Sequence, residues 1–280
     1  MFQKLSNSWQ LIQASARVLR ADKELIVFPL ISSLALILVS ASFFVPTLVL
    51  GDGFALSESS ELMAYVVIFL FYVVQYTVIF FFNSALVGAA MIRLDGGDPT
   101  VGDGFRIAFS RLGSILGYAV IAATVGMLLR TASERSGALG RFVIGLIGMA
   151  WNLATFMVVP VLVTRNVSPL QAIKESAAVL KKTWGEQVVG NAGIGFAFFL
   201  AYLGLGLVGI PLIIFAGTAG PPAMAGAVIA CLVLAFLLLG LINATLSGIY
   251  SAALYRFATT GESGGFDGAI LRNAFAPKTS

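Results

Sequence analysis

Residues 223–255 read AMAGAVIACLVLAFLLLGLINATLSGIYSAALY, and this stretch decides the fold. It contains no Asp, Glu, Lys or Arg. It is longer than the ~20 helical residues that cross a bilayer core of about 30 Å. A helix apolar on every side needs an apolar surrounding, and in hydrocarbon it satisfies its own backbone polar groups. Cys231, in its middle, reads as a small packing residue.

Working outward, five more runs carry no charged side chain: 25–50, 62–92, 112–129, 142–164 and 188–218. The runs at 62, 188 and 223 exceed what a perpendicular span needs, so they tilt, kink or project beyond the hydrocarbon. The run at 112 is the shortest. Composition agrees, with 59% hydrophobic and 11% charged residues, against about 45–50% and about 25% in soluble domains. The expectation is an all-α polytopic membrane protein. Its six transmembrane helices form three hairpins, each preceded by an interfacial amphipathic helix, in one membrane domain over 1–280. The first run is too long for a signal-peptide core, and about 24 residues precede it.

Orientation follows from the basic residues. Lys4, Arg17, Arg20 and Lys23 precede the first run; Arg93, Arg106 and Arg111 follow the second; Arg165, Lys174, Lys181 and Lys182 follow the fourth; and Arg256, Arg272 and Lys278 follow the sixth. Only Arg130, Arg135 and Arg141 lie on the other side. The positive-inside rule therefore predicts cytoplasmic termini in a multi-pass protein of the inner membrane. The net charge of +4, so distributed, points to a membrane surface and not to nucleic acid.

Two stretches outside the runs repeat. Phe2, Leu5, Trp9, Ile12, Ala16 and Leu19 recur at helical spacing, as do Leu170, Ile173, Ala177, Leu180 and Trp184. Each set lays an apolar stripe along one helix face. At an offset of 161, Ile12, Ser15, Ala16, Val18, Leu19 and Arg20 fall on Ile173, Ser176, Ala177, Val179, Leu180 and Lys181. A third copy places Val101, Phe105, Ala108 and Leu112 on one face. Its Asp98-Pro99 matches Ser168-Pro169 as N-cap and first helical residue. Arg93, Arg165 and Arg256 each close a unit, which predicts tandem repeats over 1–93, 94–166 and 167–256. A tail over 257–280 begins a fourth such helix near Asp267–Phe275.

At Ser168-Pro169-Leu170, Ala172-Ile173 and Ser176, with Lys181 and Trp184 following, the chain resembles a motif of several prokaryotic membrane families. One of them is the membrane domain of glycerophosphoryl diester phosphodiesterases, whose catalytic domain is not in this sequence. Around Trp9, Arg17 and Phe28-Pro29, and in the spacing of all six runs, it resembles a bacterial and archaeal family known as a domain of unknown function. That resemblance covers most of the chain. It implies a six-helix integral membrane fold and brings no activity with it.

Residue chemistry excludes more than it assigns. With no His and one Cys, disulfides and Cys/His metal centres are ruled out. No run carries the buried carboxylates of an ion-coupled pump, the ligands of an intramembrane metalloprotease, or a base for a serine nucleophile. The loop with Asp95, Asp98 and Asp103 shares Asp-Gly steps with lipid phosphotransferases. It lacks their Ala-Arg step and downstream Asp pair, and reads as capping and a Gly-rich turn. The Gly-rich run with Pro211 reads as close packing with a kink, or as a broken helix beside a pathway. Gly113 and Gly117 form one GxxxG.

Two sets of residues remain as candidate sites. Asn83, Asn152, Asn191 and Asn243 are the polar points within the runs. They are expected to bond neighbouring helices or to line a solute site, with Asn152 and Asn243 at equivalent depth and facing inward. Lys4, Arg17, Arg20, Lys23, Lys174, Lys181 and Lys182 are the candidate lipid-headgroup contacts. The expected function is non-enzymatic: a membrane-organising or accessory protein, without cofactor. Its partners are membrane lipids, anionic ones included, with a protein partner or a second copy left open. The alternative is a facilitator of a neutral or amphipathic solute such as a lipid.

Overall fold

The computed structural model describes residues 2–49, 61–184 and 193–264, with 266, 268 and 271 beyond. Among these, all regular structure is helical: α1 (Phe2–Ala21), a 3-10 turn (Lys23–Ile26), α2 (Val27–Val49), α3 (Glu61–Leu94), α4 (Val101–Ser110), α5 (Leu112–Glu134), α6 (Ala138–Ala154), α7 (Val158–Thr164), α8 (Pro169–Trp184), α9 (Gly193–Ala219) and α10 (Pro222–Thr260). Six stretches are long and apolar enough to cross a membrane: Lys23–Val45, Tyr65–Leu94, Leu112–Glu134, Ala138–Thr164, Ala197–Thr218 and Ala223–Thr260. The protein is an all-α polytopic membrane protein. The third stretch runs past the expected end at 129. Arg130 there pairs with Glu134 one turn on, at 2.8 Å, and donates to the Tyr72 hydroxyl at 2.6 Å.

The fourth stretch is not one helix. α6 stops at Ala154 and α7 starts at Val158. Pro160 supplies no N–H, and its ring crowds the preceding turn, so the hydrogen-bond ladder cannot pass through it unchanged. The Met157 N–H released at the break donates to Ser176 Oγ on α8 at 3.0 Å. The Gly-rich α9, expected as the broken or kinked run, is continuous through Pro211.

Consecutive long helices pack antiparallel. Gln75 Nε2 donates to Ser40 Oγ at 2.8 Å across α2 and α3, and the Phe43 and Phe71 rings meet edge-on at 5.2 Å. Tyr202 and Phe236 stack at 5.9 Å across α9 and α10. α3 is the hub, touching α2, α4, α5, α7 and α10. Buried side chains gather where α3, α7 and α10 end and α2, α5 and α9 begin, as with Phe28, Ala85, Val161 and Leu254. That end is the floor of the bundle. Towards the far end α6 buries nothing, and neither does α10 over 223–244. Hydrocarbon tolerates this, since lipid tails are as apolar as Leu.

Three short helices pave the floor. α4 lies against α3, α8 against α7 and α6, and α1 against α9 and α10. α4 approaches so closely that a Cβ on Gly104 would stand 2.7 Å from the Ala85 carbonyl oxygen. Its cap is Thr100, not Asp98-Pro99 as expected. Thr100 Oγ1 accepts from the Asp103 N–H at 3.2 Å, and Asp103 accepts from the Thr100 N–H at 3.0 Å. This reciprocal box satisfies two orphan donors, whereas Asp98 is drawn away to Arg93. On α8 the expected cap forms, with Ser168 Oγ accepting from the Gln171 N–H at 3.3 Å.

Candidate functional site

The floor helices dock with small residues, joined by one leucine on α1 and one on α8. α1 buries Leu11, Ala14 and Ser15, α4 buries Gly104 and Ala108, and α8 buries Ala172, Ser176 and Leu180. The stripes read from the sequence lie roughly a third of a turn away on α1 and a quarter on α8. Trp9 is 59% exposed, Leu170 62% and, on α4, Phe109 63%, while Ile12, Ala16, Ile173 and Ala177 are half-buried. Each helix thus has a docked face rich in small side chains, exposed apolar residues beside it and a polar face. That is the pattern of a helix set between protein, lipid and water.

Charge on the floor divides into two classes. Arg93 is held by Asp22 and Asp98, Arg165 by Glu175 at 3.1 Å, and Arg256 by Asp95 at 2.8 Å and Glu262 at 2.6 Å. These ion pairs tie the ends of the inner helices to the floor. Arg17, Arg20, Lys23, Lys174, Lys181 and Lys182 are all exposed, and among the described residues none has an ion-pair partner. Lys4 belongs to α1, but its side chain lies outside the described residues. Thr100 holds the Asp103 carboxyl below the usual carboxylate range through side-chain and backbone hydrogen bonds.

The asparagines separate. Asn191 lies outside the described residues. Asn243, half-buried on α10, accepts from Ser247 Oγ at 3.2 Å. Asn152 is exposed on α6, so it does not face inward with Asn243. Equal depth and facing would require one unbroken fourth helix, and the break before Val158 resets the helical phase.

Asn83 lines a crevice of about 340 Å³ between α2, α3, α7 and α10. Ser32, Ser247 and Ser251 add hydroxyls, and the remaining walls are apolar, with Phe156 and Pro160 at the helix break. No charged side chain lines it. Neither the serines nor Pro160 stood out in the sequence. Ser247 and Ser251 are four residues apart on one helix face, and Pro160 interrupts the run MVVPVLVT; those are the signals that could have found them.

No curated protein and no solved structure matches the chain, so the phosphodiesterase resemblance gains no support. A family model begins at α3, leaving Trp9, Arg17 and Phe28-Pro29 outside its range. That model, described as a family of unknown function (DUF6159), matches residues 62–266, and the chain belongs to that family.

Proposed function

We propose that this protein is a non-enzymatic, membrane-organising or accessory component of the inner membrane, whose floor lies on the cytoplasmic leaflet and gathers anionic lipid. The observation that carries the reading is the coincidence, on α1 and α8, of unpaired exposed cations with exposed Trp9 and Leu170. A cation already held in an ion pair has little left to offer a headgroup. Each free Lys or Arg near an anionic leaflet contributes about 1 kcal/mol, and the apolar face adds burial. The excess of Lys and Arg at the floor favours the same orientation.

Three tandem units are part of this proposal. The floor helix of the second unit lies under the first, that of the third under the second, and α1 under the third. Leu11 and Ser15 are buried on α1, and at the offset of 161 Ala172 and Ser176 are buried on α8. The alternative, a facilitator of a neutral or amphipathic solute, gains one specific observation in the crevice beside Asn83.

The test is the lipid that travels with the full chain when it is extracted from vesicles of mixed anionic and zwitterionic lipid. Enrichment of anionic lipid is expected. Arg17→Gln with Lys181→Gln should reduce it roughly tenfold, since two such charges contribute about 2 kcal/mol before screening. Equal recovery of both lipids by the unaltered protein would remove the proposal.

A further inference from the structure

We infer that the crevice between α2, α3, α7 and α10 binds an uncharged long-chain alcohol of the membrane, its hydroxyl head at Asn83 and its tail in the bilayer. This does not rest on the floor's lipid contacts. Four observations carry it.

The polar groups have a definite hydrogen-bonding sense. Ser251 Oγ donates to the Gly248 carbonyl at 2.9 Å and Ser247 Oγ to Asn243 Oδ1 at 3.2 Å. Both hydroxyls have committed their protons and offer only lone pairs inward. Asn83, whose amide both donates and accepts, has no hydrogen-bond partner among the described residues. Ser32 Oγ, the third hydroxyl of the lining, makes no hydrogen bond among the described residues and keeps its proton to donate. Such a set suits a head that both donates and accepts, as an alcohol does, whereas a carbonyl or ether head leaves the Ser247 and Ser251 lone pairs unmatched.

Charge is excluded from the occupant. A phosphate or ammonium head would lose its water with no counter-charge in the lining to replace it. Depth agrees. Asn83 lies ten residues before Arg93, roughly 15 Å along the helix and so about halfway through the hydrocarbon core.

The walls take a hydrocarbon chain and open in the right direction. Ile79, Phe82, Leu86, Phe156, Val159 and Pro160 make the apolar lining. At the side away from the floor, Ile79 is 38% and Phe156 36% exposed. Beyond them α6 and the outer part of α10 bury nothing, so a tail passes from the crevice into lipid without crossing a packed interface. The helix break supplies the space, since Phe156 sits in it, between the end of α6 and the start of α7.

The test uses the full chain in phosphatidylcholine nanodiscs with two photoreactive probes of identical acyl chain, a diacylglycerol and a phosphatidic acid. The diacylglycerol is expected to label residues 79–86, 156–160 and 244–251, at least about fivefold over the phosphatidic acid. Asn83→Leu should lower that labelling by about fivefold, the effect of one lost hydrogen bond, and Asn83→Gln should keep most of it. Ser247→Ala, a smaller change that keeps the fold should Asn83→Leu unsettle it, should lower it in the same direction. Equal labelling by the two probes would overturn the inference, as would adducts confined to the outer faces of α6 and α10. Labelling unchanged in both Asn83→Leu and Ser247→Ala would do the same.

Discussion

Ser176 and Ser15 occupy corresponding places on α8 and α1, yet their hydroxyls are used differently. Ser176 Oγ accepts the Met157 N–H that the break in the fourth span releases. Ser15 Oγ is buried with no partner among the described residues. Ser176→Ala should therefore strand a buried amide and cost about 1–3 kcal/mol, whereas Ser15→Ala should cost nothing or stabilise slightly. Thermal unfolding of the two variants in detergent measures the difference. Equal midpoints would mean that the α8 contact does not hold the break. Pro160 was visible in the sequence as one Pro among several. Its consequence was not, because hydropathy does not register a missing N–H, and α9 continues as a helix on both sides of Pro211.

Among the elements, the spans were the most legible. Hydrocarbon leaves a chain few choices, so an uncharged run of sufficient length becomes a helix whatever its neighbours do. The floor helices were legible as helices but not in their docked faces. Large apolar residues define a stripe by eye, whereas close approach to another helix selects Gly, Ala and Ser, which hydropathy scores as neutral. Trp9 and Leu170, in the stripes read as the apolar face of an interfacial helix, stand exposed, and the docked face beside them went unread. The GxxxG at Gly113 and Gly117 holds at one of its two glycines. Gly117 meets the Pro169 ring, while a Cβ on Gly113 would touch nothing within 4 Å. On this basis Gly104→Ala should lower the unfolding temperature by forcing α4 off the Ala85 carbonyl, at about 1–3 kcal/mol. Gly113→Ala, on an exposed helical turn, should be neutral or gain up to about 1 kcal/mol. A Gly104→Ala protein as stable as the parent would mean that α4 is not seated on α3 as described.

At the scale of the molecule, a tightly packed floor carries outer helix segments that bury little. The division follows from the two solvents the chain meets. Near the floor, polar backbone ends, ion pairs and floor helices must be packed and satisfied, while further out lipid replaces protein neighbours at little cost. The same division places the two proposed activities, headgroup contact on the floor and an uncharged alcohol in the crevice above it. The first depends on which way the bundle faces, and that is the central claim. Its most direct measurement is labelling of single cysteines in a Cys231→Ala background with an impermeant thiol reagent on intact cells and on inverted vesicles. Cysteines at Lys23 and Lys174 should react only in inverted vesicles, and a cysteine at Arg135 only in intact cells. Reaction of positions 23 and 174 only in intact cells would contradict the account, because the floor would then face outward, and reaction of position 135 from the same side as position 174 would mean that the fourth span does not cross.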